Sequence, residues 1–103
     1  MEETLLKVKN LEKFIKKHGE DAMISQTISK MVAYKVQKYE GEIVRLNKEL
    51  KKFEQTYKKD STGFFEEFKA GTIGDEMGFV EWSSLYQMRN RLLEKKKELE
   101  SMM

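Results

Sequence analysis

Cysteine and proline are both absent from this 103-residue chain, and histidine and tryptophan occur once each. Without cysteine there is no disulfide framework and no thiolate metal site, so zinc fingers are excluded and a reduced cytoplasm is the default compartment. Without proline, nothing in the chain forbids long uninterrupted helices. No stretch approaches the ~18 apolar residues that a membrane span requires. The opening Met1-Glu2-Glu3 lacks the basic segment and apolar run of a signal peptide. A soluble cytoplasmic protein with no membrane association is therefore expected. An excess of one charge is missing too: 20 Lys and Arg stand against 18 Asp and Glu, a net +2, far from the basic balance of a dedicated nucleic-acid binder.

What the chain does have is helix-forming material. Charged residues make up 37% and hydrophobic residues 39%, with a mean hydropathy of -0.72, a profile of long exposed helices. At 12.2 kDa it has room for one modest domain, near the size where stability leans on oligomerisation. Leu5, Val8, Leu11 and Ile15 recur at helical spacing, with Leu6 and Phe14 broadening the stripe. They predict a helix over 4–18, closed by Gly19. Asp21 is placed to cap a much longer helix over 22–58. Along it Val32, Val36, Tyr39, Ile43, Leu46, Leu50, Phe53 and Tyr57 alternate steps of four and three. All of them lie on one seam, which must face another helix. Gly41 falls on the outermost position of this heptad and leaves the seam whole.

After Lys59 the period breaks. Asp60 is placed to cap a short helix over 61–70 through Phe64, Phe65 and Phe68, and Gly71, Gly74 and Gly78 then mark a turn that carries Asp75 and Glu76. Helical spacing returns over 79–101 with Trp82, Leu85, Tyr86, Met88, Leu92, Leu93 and Leu99, although Arg89 and Lys96 stand where a strict heptad is apolar. The fold class that follows is all-α, a single helical domain over 1–103. Its centre is a long antiparallel helical hairpin, coiled-coil-like, with the short aromatic helix closing the corner. The N-terminal helix packs on this hairpin or on a second copy. A seam and a stripe left partly uncovered predict a homo-oligomer, a dimer being the simplest closed form.

Few residues suggest chemistry. Glu66, Glu67, Asp75, Glu76 and Glu81 gather near the corner, but they lack the alternating oxygen ligands and twelfth-position glutamate of a calcium loop. Capping and solvation are their expected roles, and no metal or cofactor is expected. His18 has no cysteine or acidic partner with which to act as a base. Gly71-x-x-Gly74 lacks the Gly-Lys-Ser/Thr ending of a phosphate loop. No catalytic residue follows, so no enzyme is expected. The functional candidates are surfaces: the seam, and the corner aromatics Phe64, Phe68, Phe79 and Trp82, read first as local core and second as a recognition patch. Lys51, Lys52, Lys58, Lys59, Lys95, Lys96 and Lys97 are interleaved with glutamates and read as solvated helix faces.

The stretch from Phe53 to Leu92 also carries a pattern: Phe53 and Tyr57, Phe64 and Phe68, Gly71-x-x-Gly74-Asp75, then Phe79-x-Glu81-Trp82-x-x-Leu85-Tyr86-x-Met88. It resembles small helical prokaryotic proteins of the antitoxin type, which are encoded beside toxin-like partners. Two positions depart from that pattern, Lys58 where a glycine would end the long helix and Gly63 where an acidic residue would cap the short one. The resemblance implies a non-catalytic protein–protein interaction module that lays an apolar helix face against a partner encoded nearby. The alternatives are a nucleic-acid-associated regulator using the lysine-rich faces, which the charge does not favour, and a purely structural homo-oligomeric coiled coil.

Overall fold

The computed structural model describes residues 2–103. Among them are four helices and no strand: α1 (Glu2–His18), α2 (Ala22–Tyr57), α3 (Ser61–Ala70) and α4 (Met77–Glu100). None of these helices is long and apolar enough to cross a membrane. By its contacts the chain divides into two compact units, Met1–Met31 and Val32–Met103.

Unit Val32–Met103 is an antiparallel helical hairpin. The register is visible in the side chains, because each step up α2 meets a step down α4. The Tyr57 ring lies 5.2 Å from Phe79 and the Phe53 ring 5.5 Å from Trp82. Arg89 donates from Nη1 to Asn47 Oδ1 at 3.1 Å, and Ile43 and Leu46 cluster with Leu92. Val32, Val36, Ile43, Leu46 and Leu50 are buried, with Tyr39 and Phe53 half-buried beside them. The two charged positions in the α4 stripe are accommodated at its rim. The Arg89 guanidinium sits 5.3 Å from the centre of the Tyr86 ring, and Lys96 reaches Glu100 at 3.1 Å. Long stems can lie on apolar surface while their heads stay in water.

The helix ends explain most of the boundaries. α2 stops at Tyr57 rather than at 58, because Lys58 adopts a left-handed backbone, φ 56°. Lysine thus holds the conformation that glycine adopts without strain. Asp60 then caps α3 with an extended backbone, its Oδ1 accepting from the Gly63 N–H at 2.6 Å. The acidic cap missing at Gly63 is supplied by Asp60, and a Cβ at Gly63 would come within 3.1 Å of that carboxylate. Gly71, φ 76°, closes α3. The Thr72 N–H donates to the Glu67 carbonyl and the Gly71 N–H to Phe68, the paired bonds of a Schellman motif. α4 runs over Met77–Glu100 instead of 79–101, with Glu76 as its N-cap but no side-chain bond there. Gly78 therefore belongs to the first turn of α4, not to the corner turn.

Unit Met1–Met31 is smaller. α1 starts at Glu2, ahead of the expected 4–18, because Glu2 and Glu3 in its first turn suit the positive end of the helix dipole. It closes on Gly19, φ 91°, whose N–H donates to Ile15 at 2.7 Å. Asp21 Oδ1 then accepts from the Ile24 N–H at 3.1 Å, and α2 begins. Leu11, Ile15 and Ile24 are half-buried, and no residue of α1 is buried outright.

Two tests follow for the hairpin. Leu50 is 2% exposed, so Leu50→Ala is expected to lower stability by about 2–5 kcal/mol, while the exposed Lys48→Ala changes it by less than ~0.5 kcal/mol. Equal urea midpoints for the two variants would show that the seam has been misassigned. Lys58→Gly removes left-handed strain and is expected to raise stability by about 1 kcal/mol. Gly41→Ala, where a Cβ meets nothing within 4 Å, is expected to add up to ~1 kcal/mol. Both gains should shift the urea midpoint upward at constant m-value.

Candidate functional site

Trp82 and Phe64 are both fully buried, and their rings stack 3.8 Å apart at an interplanar angle of 6°. Phe53 and Tyr57 of α2 stack on the same indole at 5.5 and 5.6 Å. Phe68 and Phe79 flank Phe64 at 5.6 and 5.5 Å. The four corner aromatics singled out from sequence therefore meet in one cluster, Phe68 and Phe79 half-buried at its edge. Aromatic pairs in such arrangements add about 0.5–1.5 kcal/mol each beyond the area they bury.

A polar chain runs through the same cluster. The Trp82 indole Nε1–H donates to Ser61 Oγ at 2.9 Å, and the Ser61 hydroxyl donates onward to Glu54 Oε2 at 2.8 Å. The Ser61 backbone N–H donates to that same oxygen at 2.9 Å. A buried indole N–H without a partner would be costly, and a carboxylate acceptor makes the relay stronger than a neutral one. The Tyr86 hydroxyl donates to Thr62 Oγ1 at 3.2 Å. Among the described residues no buried side-chain nitrogen or oxygen lacks a partner.

Of the acids near the corner, Glu66, Asp75, Glu76 and Glu81 are exposed, while others have structural partners. Glu67 pairs with Lys59 at 2.7 Å, Lys52 with Glu49 at 3.2 Å, and Asp60 caps α3. Among the described residues no group of three or more His, Asp or Glu is gathered as a metal ion would need. The His18 imidazole lies against the Phe14 ring at 4.7 Å.

The seam and the corner are thus largely covered by the chain itself. Tyr57 is the one seam residue with an exposed fraction as high as 40%. Exposed apolar side chains occur in both units, Met88 and Leu93 of the α4 stripe among them at 45% and 42%, but relative to its length the smaller unit carries more of them. Leu5 and Val8 are each 55% exposed, Ile28 40% and Met31 62%. Between α1 and the start of α2 lies an open cleft of about 350 Å³ lined by Val8, Leu11, Glu12, Ile15, Lys16 and Ile28. Its rim carries the Lys16–Glu12 ion pair at 2.9 Å. The hydrogen bond from Lys16, and its positive charge, hold the Glu12 carboxyl below the usual glutamate range.

Sequence reasoning reached the lining residues of α1 as a packing stripe and not as a site. The available signal was an imbalance in length: four turns of apolar stripe on α1 answered only by Ile24, Ile28 and Met31 on α2 before the heptad seam turns to another face.

Trp82 should emit at short wavelength and resist aqueous quenchers. Ser61→Ala leaves the indole N–H without its acceptor and the Glu54 carboxylate with the backbone N–H of residue 61 alone, and is expected to cost about 1–3 kcal/mol, whereas Ser61→Thr, which keeps the hydroxyl, should cost less. A red-shifted, freely quenched Trp82 in the folded protein would contradict the cluster described here.

No protein-family model matches the chain, and no curated protein or solved structure matches it either.

Proposed function

We propose that this chain is a non-catalytic helical interaction module of the cytoplasm that docks its partner on the apolar face of the N-terminal unit. The observation that carries this reading is the contrast in burial between the two units. In Val32–Met103 the seam and the aromatic corner are packed into a core with its polar groups satisfied. In Met1–Met31, α1 has no buried residue, and its apolar stripe borders an open cleft. A helix that leaves most of its apolar stripe in water gains little from burial and is stabilised by a second surface laid against it. A partner helix would enter such a groove through side chains spaced by three and four residues.

The antitoxin-like role implied by the resemblance fits this division of labour. The residues that carry the resemblance lie in the corner and are read as the part that folds, while the bare stripe of α1 is the part that meets another protein.

The test is co-expression with the product of the adjacent gene. Recovery of both chains in fixed stoichiometry is expected, lost on Val8→Glu and retained on Lys51→Glu. Retention of the chain on DNA with a steep dependence on salt, weakened by Lys51→Glu and indifferent to Val8→Glu, would favour the nucleic-acid reading in its place.

A further inference from the structure

We propose that this chain consumes hydroperoxides at its surface: six exposed methionine thioethers each take up one oxygen atom, and both units stay folded when all of them carry it.

The observation is where the sulfur sits. The chain holds no cysteine and seven methionines, and all six methionines among the described residues are exposed, from 45% at Met88 to 83% at Met77. Methionine ranks with leucine and valine among the side chains most often buried. Here the buried hydrophobic residues are Val, Ile, Leu, Phe, Trp and Tyr, and no methionine is among them. The pattern is not confined to one helix. Met23 and Met31 lie on α2 within the smaller unit, Met77 opens α4, Met88 stands midway along it, and Met102 and Met103 follow its end.

Chemistry separates these positions from exposed leucines. A thiolate would be the first target of a peroxide, and this chain has none. The sulfur lone pair of methionine attacks the terminal oxygen of a hydroperoxide, and the S–O bond forms as the O–O bond breaks. The proton on that oxygen passes to the departing alkoxide, which leaves as the alcohol, or as water when the oxidant is hydrogen peroxide. Each sulfur gives up two electrons and becomes the sulfoxide. The reaction is stoichiometric, one hydroperoxide per methionine, and it is reset by the enzymes that reduce methionine sulfoxide.

Burial decides what this does to the fold. A sulfoxide is polar, and inside a core its oxygen would lack a hydrogen-bond partner. On these side chains the new oxygen meets water. The oxidisable group on which the hairpin depends is kept from the oxidant, because Trp82 is fully buried and stacked against Phe53, Tyr57 and Phe64. The repairable groups are outside and the indole is inside.

The test treats the full chain with hydrogen peroxide and reads oxygen uptake residue by residue from the masses of proteolytic peptides. Met23, Met31, Met77, Met88, Met102 and Met103 should each gain one oxygen in the folded chain, at a rate within about threefold of that in the urea-denatured chain, since exposure governs access. The fully oxidised chain should keep the helical circular dichroism, the urea midpoint and the Trp82 emission of the untreated one, and methionine sulfoxide reductase should return its mass. Replacing these six methionines by leucine, which suits a helix as well as methionine does, should lower peroxide consumption by six equivalents per chain while the Trp82 emission stays unchanged. Protection of any of them more than about tenfold by folding, loss of helical signal or a fall in urea midpoint on full oxidation, or a leucine-substituted chain that consumes as much peroxide as the unsubstituted one would overturn the proposal.

Discussion

The stack of Trp82 on Phe64, 3.8 Å apart and nearly parallel, is the contact on which the rest of unit Val32–Met103 depends. It joins α3 to α4 directly, and through Phe53 and Tyr57 it reaches the end of α2. A long helical hairpin has no intrinsic register, because a seam of similar apolar residues can slide by a turn at modest cost. The indole removes that freedom. It is large, it is buried, and its N–H must find Ser61 Oγ, which in turn is held by Glu54. Sliding α4 by one turn would leave the buried indole N–H without its acceptor, a penalty of about 1–3 kcal/mol, and would break the ring stack as well. From that anchor the pairs run down the hairpin to Arg89 with Asn47 and Leu92 with Ile43 and Leu46.

α3 exists to make that anchor. It is too short to be stable alone, yet both of its ends are specified: Asp60 accepts from Gly63 at the start, and a left-handed Gly71 closes the finish. Its first residue, Ser61, is the relay between the indole and Glu54, and its fourth, Phe64, is the stacking partner. The cap thus places in one turn both the polar and the apolar contacts of Trp82. The strain at Lys58, φ 56°, belongs to the same construction. The chain must leave α2 sharply enough for Asp60 to start α3, and the aromatic packing beyond it holds a lysine in a conformation it would otherwise avoid.

The two units contrast in how they satisfy their apolar residues. One covers its seam with its own α4. The other holds a helix of good amphipathic pattern whose stripe is half in water, beside a cleft with a charged rim. Both have the same sequence signature, apolar residues at steps of three and four. What separates them is that the seam is answered by the long stripe of α4, whereas the α1 stripe borders only the start of α2 within its own unit.

The amino-acid sequence by itself determined the local structure: four helices, their order, the caps at Asp21, Asp60 and Gly71, and the seam from Val32 to Tyr57. These are legible because capping and amphipathicity depend on residues within one or two turns of each other. The small errors, at Glu2, Lys58, Gly78 and Ser101, fell where an end is decided by backbone conformation or by a neighbouring element rather than by a residue type. Only the tertiary structure decided which face covers which. The pattern leads to the expectation of an antiparallel hairpin and a buried corner, but that Ser61 links Trp82 to Glu54 and that Arg89 meets Asn47 follow from residues far apart in the chain being brought together. The α1 stripe was legible as a face left partly uncovered, but its occupant was not, since periodicity says that a face must be covered and is silent on what arrives to cover it.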